Sequence, residues 1–213
     1  GDGVGPEIVD QGRKALEAAA QRFGFEIAFQ QGYFGLAGVE KYGSSFAPET
    51  LALCKASDAI LTGATGGATG SNAYTPVDPE GGKRGLHKGL GLTVNFRPAT
   101  LYPALRGCSA LRPSLVGSGI DMVMVRDISS GLWQGKPRSF RKSPRGRTAV
   151  NTLKYKESEV ARVMRACYRL ASERRQRLDV VAQDNSLETS QLWRQVAMEM
   201  SAEFPAVKVE HHY

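Results

Sequence analysis

Two charged residues follow an apolar, strand-length run near the middle of the chain. Asp121–Val125 reads DMVMV, bounded by Gly119 and by the Ser-Ser-Gly sequence at 129–131, a pattern typical of a strand buried on both faces. Arg126 and Asp127 come next, and in an open α/β sheet the carboxyl ends of the strands are where ligands bind. An arginine there can bind a carboxylate or phosphate through its planar fork. The alternative is that Arg126 pairs with Asp127 or another acid.

The segment VRDISSGLWQGKPR at 125–138 resembles the VRE-x-TGG-x-Y-x-G-x-PR segment of the β-decarboxylating dehydrogenases, the family of 3-isopropylmalate, isocitrate, homoisocitrate and tartrate dehydrogenases. Four further blocks agree in order and spacing: GDGVGPEIV at 1–9, TGATGG at 62–67, NFRPATLYPAL at 95–105 and DNSLETSQLWRQV at 184–196. Five collinear blocks are far more specific than one glycine-rich loop. The resemblance implies an NAD- or NADP-dependent oxidoreductase that oxidises and decarboxylates a 2-hydroxy polycarboxylic acid with Mg²⁺ or Mn²⁺.

The resemblance also implies roles for individual side chains. Arg97 and Arg126 match family arginines that bind the malate part of the substrate, and His87 stands where the family has a third arginine. A protonated His87 would bind a carboxylate in a pH-dependent way and without a bidentate fork. The alternative is a loop histidine without a role. Glu80 matches a family glutamate near the nicotinamide ribose, and Asn185 a residue that meets the nicotinamide across a dimer interface.

The two positions for proton transfer depart from the family pattern. Trp133 replaces the family's catalytic tyrosine, and Gln183 replaces its catalytic lysine. An indole donates a hydrogen bond but does not ionise usefully, and glutamine is not a base. General acid and base groups each contribute about 10²–10⁴ in rate. Two hypotheses therefore remain: a dehydrogenase with an altered proton relay, or a degenerate member, such as a regulatory subunit, that binds nucleotide or acid without turnover.

One cationic pair bears on the substrate. Where isopropylmalate enzymes offer leucines to the isopropyl group, this chain has Lys83 and Arg84, in the sequence Gly-Gly-Lys-Arg at 81–84. A cationic pocket should prefer an anionic substituent and reject an isopropyl group. We therefore expect a substrate other than 3-isopropylmalate, unless Lys83 and Arg84 face solvent.

The chain ends do not match the ends of the family. The glycine loop that begins at Gly1 follows a strand in the family, and the family's metal-binding aspartates and adenine-binding loop would come after residue 213. We therefore expect a chain truncated at both ends, with no metal ligand of its own. His211 and His212 are adjacent, but no carboxylate or third histidine stands at ligand spacing in the sequence.

Composition favours an ordinary soluble globular protein. The 213 residues carry a net charge of +7, and the sequence has no signal-peptide pattern or membrane span. Cys54 and Cys167 lie on apolar helical faces and Cys108 is remote from both, which indicates thiols in a reducing compartment and a cytoplasmic location. Six basic residues fall within 136–147. In the resembled family this region, about 134–152, is an arm that clasps a second subunit, so we expect a homodimer; nucleic-acid binding is the weaker alternative.

Alternating strands and helices must position these residues. The pattern predicts an α/β fold, like that of isopropylmalate and isocitrate dehydrogenases, with a parallel or mixed sheet covered by helices and a projecting dimerisation arm. We expect two α/β domains, 1–100 and 101–213. The predicted elements are a helix from Pro6 to Phe23, a strand at 25–33, a helix at 47–56, a strand at 59–62, an irregular segment at 68–91, a helix at 157–177, a strand at 178–181, a helix through Leu192, Val196 and Met200, and a strand at 207–209.

Overall fold

The structure, a computed structural model, describes residues 1–66, 79–117 and 119–213, and the side chains of residues 79 and 80 are outside the description. It divides into two units, Gly1–Leu92 and Thr93–Tyr213. The expected domain border at residue 100 lies within the second unit. Gly67 and the 68–78 part of the expected irregular segment lie outside the described residues. No described helix has both the length and the hydropathy needed to span a membrane.

The first unit is built from helices, whose bounds are α1 (Gly5–Phe23), α2 (Leu36–Tyr42), α3 (Pro48–Lys55) and α4 (Pro79–Gly89). Proline stands in the first turn of both α1 and α3, where its missing N–H costs nothing. Gly24 ends α1 in the left-handed conformation, with φ of 72°. The predicted helices at 6–23 and 47–56 are therefore confirmed.

A buried carboxylate connects three loops of this unit. Asp2 is 7% exposed, and its carboxylate accepts hydrogen bonds from the backbone N–H of Ala37 at 3.1 Å and of Gly66 at 3.2 Å. The backbone N–H of Asp2 donates to the carbonyl of Ala64 at 2.7 Å. Because the carboxylate also lies against Gly35, a side chain at that position would overlap it. Asp2 thus fixes the glycine loop through its own side chain.

Helix α4 contradicts the irregular segment expected at 68–91. Its packing face consists largely of glycines, with Leu86 as its one buried apolar side chain, so it lacks the hydrophobic period that identifies a helix. A Cβ added to Gly82 would lie 2.6 Å from the carbonyl oxygen of Ser45, and one added to Gly85 would lie 2.7 Å from the Phe46 ring. The glycines therefore allow α4 to pack directly on the 45–46 backbone and ring.

Two strands predicted in the first unit are absent from the described residues. Residues 25–33 and 59–62 form no ladder, and the one pairing nearby is an isolated bridge between Phe34 and Phe46. Both segments have strand-like composition, but a strand is stabilised by a hydrogen-bonded neighbour, which neither has within the described chain. These predictions are wrong.

The second unit has the elements β1 (Val94–Leu101), a 3₁₀ turn (Pro103–Cys108), α5 (Pro113–Val116), β2 (Ile120–Asp127), a 3₁₀ turn (Gly131–Trp133), β3 (Ser139–Ser143), β4 (Gly146–Val150), α6 (Glu157–Ser172), β5 (Arg177–Val181), α7 (Glu188–Ser201) and β6 (Lys208–His212). Among the described residues, β1 pairs with β2 and β3 with β4 in antiparallel fashion, while β5 and β6 are parallel.

The strand predicted from DMVMV exists, but it is not buried on both faces. Asp121 is exposed, as are Met122 and Met124, the latter by 53%. Only Val123 and Val125 are half-buried. Within the described chain β2 has one strand neighbour, β1, and the continuous apolar run misled the prediction because such runs also occur on strands covered on one side.

The core of the second unit lies between α6, α7 and the β5–β6 pair. Val160 and Tyr168 of α6 are fully buried, and the Tyr168 hydroxyl donates to the carbonyl of Ala197 in α7. Cys167 is also buried, and burial raises the pKa of its thiol to about 11, so the prediction of a core thiol is confirmed there. Helix α6 ends at Ser172 instead of residue 177.

The early end of α6 has an electrostatic reason. Arg174 and Arg175 pair with Asp121 at the start of β2, at 2.7 and 3.1 Å, and Gln176 adopts a positive φ of 54° that turns the chain into β5. A solvated helix face is the simplest interpretation of the arginine series at 162–177. Several members of the series instead form ion pairs beyond the helix.

Strands β3 and β4 form the expected arm as an exposed hairpin. Every residue of β4 is exposed, and Phe140 in β3 is 65% exposed. The hairpin begins where Thr152 donates from its hydroxyl to the carbonyl of Pro137 at 2.9 Å. Lys142 lies directly opposite Arg147, a like-charged pair that disfavours the hairpin in isolation.

Substitution of Met200 with alanine tests the proposed core. Met200 in α7 is 5% exposed, so the cavity left by Met200→Ala should lower the free energy of unfolding by about 2–5 kcal/mol. Met198→Ala is the matched control, because Met198 lies on the same helix and is 55% exposed; its cost should stay within about 0.5 kcal/mol. Urea denaturation followed by tryptophan fluorescence, to which Trp193 of α7 contributes, measures both. Equal costs would contradict this assignment of the core.

Candidate functional site

The ladder between β1 and β2 places two predicted substrate-binding arginines on one face. Asn95 is opposite Arg126, and Arg97 is opposite Met124. Opposite residues of an antiparallel pair share a face, as do residues two apart on one strand, so Arg97 and Arg126 are diagonal neighbours. Such neighbours lie roughly 7–8 Å apart. The two guanidinium groups can therefore bind one anionic ligand together.

Neither arginine is neutralised by a carboxylate among the described residues. Both are exposed, and the contact that the structure gives Arg126 is with the ring of Trp133, 5.9 Å from guanidinium carbon to ring centroid. A cation over an indole face keeps its charge available to a second, anionic partner. Arg126 and Trp133, both predicted to be functional, are thus brought together.

Asp127 does not pair with Arg126, which removes the alternative interpretation of that arginine. Its carboxylate accepts from the Ser129 backbone N–H at 2.8 Å, from the Ser129 hydroxyl at 2.9 Å and from the Ser130 hydroxyl. These bonds close the turn that leads to Gly131 and Trp133. Asp127 therefore positions the loop and leaves Arg126 to other partners.

A cleft of about 420 Å³ opens beside Arg126 and Trp133. It combines one cation with several hydroxyl groups and two indole rings, the composition of a site for a small polar acid. Its lining residues are Val125, Arg126, Asp127, Ser130, Leu132, Trp133, Leu153, Tyr155, Val180, Val181, Ala182, Thr189, Ser190 and Trp193.

Tyr155 and Trp193 are the site residues that the sequence did not identify. Tyr155 is half-buried and meets Trp193 edge to face, with ring centroids 5.5 Å apart and planes at 88°. Burial and, secondarily, the Asp127 carboxylate raise the pKa of the Tyr155 phenol. Tyr155 lies 22 positions after Trp133 in the sequence, beyond the arm. The two residues line one cleft because the arm between them folds back on itself as a hairpin.

The first unit brings another two predicted residues together. His87 and Lys83 are one helical turn apart on α4, with His87 half-buried and Lys83 exposed. Burial, followed by the charge of Lys83, lowers the pKa of His87. His87 is therefore mainly neutral at pH 7, so the pH-dependent binding of a carboxylate by protonated His87 would be favoured only at lower pH. Arg84 is exposed and has an interaction partner of its own.

The turn after β5 carries Gln183 and Asn185, and both side chains are exposed. Asp184 between them is held by Arg194 of α7 at 2.7 Å. Neither Gln183 nor Asn185 lines the cleft, although the adjacent Ala182 does. The side chain of Glu80 is outside the described residues, so its expected role stays a prediction.

Strand pairing creates a cluster of metal-ligand types that the sequence did not reveal. Asp179, Glu210 and His212 lie on one face of β5 and β6, with ligand atoms within 4.8 Å of one another. Arg177 already binds Asp179 at 3.0 Å and Glu210 at 3.3 Å, and Lys208 binds Glu210 at 2.7 Å. Two cations thus neutralise the two carboxylates, and the cluster is an ion-pair network instead of a ready metal site.

The described cleft residues do not suit a divalent metal by themselves. Asp127 is the one carboxylate among the residues that line the cleft, and its oxygens are taken by Ser129 and Ser130. Magnesium and manganese favour several carboxylate or water oxygens. The described cleft residues therefore suit an acid better than a metal ion. Asn185, with its exposed amide, suits a hydrogen bond to a nicotinamide nucleotide.

Comparison with known proteins gives consistent matches over the whole chain. A family model described as isocitrate/isopropylmalate dehydrogenase matches residues 1–213. A 3-isopropylmalate dehydrogenase of Hahella chejuensis is 42% identical over 214 residues, which is 100% of this chain and 59% of that protein. One from Aquifex aeolicus is 40% identical over 213 residues, 100% of this chain and 58% of that protein. The chain thus spans less than two thirds of the length of these curated relatives.

Solved structures agree with the fold. An isocitrate dehydrogenase from Methylococcus capsulatus superposes with a TM-score of 0.80 at 25% identity, covering 100% of this chain and 58% of that one. A β-decarboxylating dehydrogenase from Thermococcus kodakarensis has a TM-score of 0.65 at 25% identity, covering 99% and 55%. The predicted fold class and the resemblance stated from the five sequence blocks are both confirmed.

The pKa of His87 is directly measurable. Because burial and Lys83 both favour the neutral ring, His87 should titrate below the ordinary imidazole value of about 6.5. A lowered folded pKa also means that the stability contributed by neutral His87 is complete above about pH 6.5 and is lost as pH falls from there toward the folded pKa. NMR titration of the ring protons measures the midpoint. Lys83→Met should raise it only partly, because burial remains; a midpoint at or above the ordinary value would refute the assignment.

Proposed function

This chain belongs to the isocitrate/isopropylmalate dehydrogenase family, and from that premise we propose that it is an NAD- or NADP-dependent oxidoreductase that oxidises and decarboxylates a 2-hydroxy polycarboxylic acid. The observation that carries the proposal is the pair of un-neutralised arginines, Arg97 and Arg126, on one face of the β1–β2 ladder. Two adjacent guanidinium groups are suited to a dicarboxylate, because each can bind a carboxylate through parallel hydrogen bonds.

The residues of the cleft support substrate binding more clearly than proton transfer. Arg126 holds a carboxylate, Trp133 covers the arginine, and the hydroxyls of Ser130, Thr189 and Ser190 can bond the remaining polar groups. A nicotinamide nucleotide, when bound, would supply the hydride acceptor for the oxidation, and Asn185 is the residue expected to contact it. Neither Trp133 nor Gln183 can exchange a proton as the family's tyrosine and lysine do. The proton relay of this protein is therefore altered.

The second candidate function is binding without turnover. The same two substitutions, Trp133 and Gln183, favour it, because they remove ionisable groups while leaving Arg97, Arg126 and Asn185 in place. Such a protein would serve as a regulatory or accessory subunit.

The substrate is proposed to be an acid other than 3-isopropylmalate. Lys83 lies one turn from His87 and offers a cation where an isopropyl group would need an apolar wall. The names of the curated relatives argue the other way, since they are called 3-isopropylmalate dehydrogenases. Competition between isopropylmalate and more highly charged acids therefore decides this part of the proposal.

The activity test uses the natural protein with 2-hydroxy di- and tricarboxylic acids, including isopropylmalate, isocitrate and tartrate, with Mg²⁺ or Mn²⁺ and either nucleotide. We expect NADH or NADPH formation with at least one acid other than isopropylmalate. Arg126→Gln should lower kcat/KM by about 10–100-fold, since a charged hydrogen bond contributes roughly 1.5–3 kcal/mol. Arg22→Gln, at an exposed position of α1, is the control and should have no effect.

The double variant Trp133→Tyr/Gln183→Lys separates the two candidate functions. A silent natural protein with an active double variant would reject the enzyme proposal and establish binding without turnover. Isopropylmalate as the best substrate would reject only the specificity proposal.

We also propose that the arm at 134–152 joins two copies of the chain. Its hairpin exposes Phe140, and Lys142 and Arg147 have no carboxylate partner among the described residues, which favours a neighbour that covers the ring and supplies negative charge. Sedimentation velocity should give a dimer for the natural protein and a shift toward monomer, with at least about tenfold weaker association, for Phe140→Glu, because a buried unpaired charge is costly. Phe140→Tyr keeps the ring and should remain dimeric. Unchanged association of the glutamate variant would exclude the arm as the interface.

A further inference from the structure

Trp133 stands where the family has its catalytic tyrosine, so the cleft lacks the hydroxyl of that tyrosine. Tyr155 supplies another hydroxyl. Tyr155 lies in the segment between the arm and α6 and lines the same cleft as Arg126 and Trp133. It is half-buried, so part of its surface is available to a ligand.

The phenol oxygen of Tyr155 is placed close to the loop that carries Trp133. It lies against Gly131, two residues before Trp133, so that a side chain at position 131 would overlap it. Gly131 also donates its backbone N–H to the carbonyl of Lys154, next to Tyr155, at 3.1 Å. The two segments are therefore joined at this point, and the hydroxyl lies against the turn in which the family pattern places its tyrosine.

The ring of Tyr155 is fixed while its hydroxyl is left for a ligand. Trp193 packs against the ring edge to face, and Gly131 limits movement on the side of the oxygen. Among the described residues the hydroxyl has no hydrogen-bond acceptor, and it is not a buried unsatisfied group. A fixed phenol with a free O–H in a cationic cleft is suited to donate to a bound anion.

We propose, on the basis of the proposed function, that Tyr155 is the catalytic acid, whose phenol protonates the substrate carbon that has lost CO₂. Because burial and Asp127 raise the pKa of this phenol, it is protonated at neutral pH and can act as an acid. The same property makes it a poor base, so removal of the alcohol proton in the oxidation step is not assigned to Tyr155.

The bonds and charges of the step balance. The bond between the substrate carbon and the departing carboxylate breaks, CO₂ leaves, and the electron pair remains as an enolate. The O–H bond of Tyr155 then breaks as a C–H bond forms on that carbon, which gives the 2-oxo acid and a tyrosinate. Water returns a proton to the tyrosinate. The oxidant is the nicotinamide nucleotide of the proposed function, and no other reagent is needed.

The first test measures binding of oxalate, a planar dianion that resembles the enolate, by calorimetry on the natural protein with Mg²⁺ present. Tyr155→Phe should weaken binding by about tenfold or more, as expected for a lost hydrogen bond to a charged group. Tyr102→Phe is the matched control, because Tyr102 is in the same unit with 63% exposure and does not line the cleft. Loss of binding in Arg126→Gln with full binding in Tyr155→Phe would overturn the role of Tyr155 and leave the proposed function standing. Absence of oxalate binding by the natural protein would overturn both.

The second test measures deuterium incorporation from D₂O into the 2-oxo acid product of the best substrate found in the activity panel. Tyr155→Phe should slow this exchange by about 10²–10⁴-fold. The double variant Tyr155→Phe/Trp133→Tyr places a tyrosine hydroxyl at position 133, as in the family, and its rate of deuterium incorporation should recover. A structural role for Tyr155 would not be rescued from position 133, so failure of the rescue would overturn the proposal, as would unchanged exchange in the single variant.

Discussion

The antiparallel register of β1 and β2 is the constraint on which the candidate site depends. It sets Arg97 diagonal to Arg126, and like charges on neighbouring side chains repel each other, more strongly where solvent is excluded. A carboxylate or phosphate between them turns that repulsion into two attractions. The register therefore brings the two positions together, and the arginines at these positions supply the charge and the planar forks that can bind an anion.

The sequence predicted those parts of the molecule that depend on local chemistry. Pro6 and Gly24 mark the ends of α1, and the residue types of five separated blocks were enough for the family resemblance. The sequence-based prediction failed where packing against another segment determines the local structure. The packing face of α4 is largely glycine, so the sequence shows no hydrophobic period for this helix. Met122 and Met124 of β2 were expected to be buried but are exposed, because an apolar run does not reveal how many faces of a strand are covered. Tyr155 and Trp133 likewise line one cleft only because the arm between them folds into a hairpin.

Two charged clusters of this chain contain similar residue types but differ in how their charges are balanced. In the cluster on β5 and β6, Arg177 and Lys208 neutralise Asp179 and Glu210, and His212 bonds Asp179 at 2.8 Å. All of these groups are satisfied from within the chain. Arg97 and Arg126 are not neutralised by any described carboxylate. Residue type alone would have favoured the histidine-containing cluster as the site, whereas charge balance favours the arginines.

Binding and proton transfer depend on the structure in different ways, which explains how a family member can keep one and alter the other. The relative placement of Arg97 and Arg126 results from a ladder of eight residue pairs, so a change at another side chain leaves that placement intact. Proton transfer depends on individual atoms, and an indole instead of a phenol at position 133 keeps an aromatic face over Arg126 while removing the O–H at that position. The proposed role of Tyr155 fits this distinction, because its hydroxyl lies against Gly131, its ring packs on Trp193, and an acid there needs no change in the fold. On the proposed function, turnover would therefore depend on the position of one hydroxyl relative to two arginines whose placement the strand register determines.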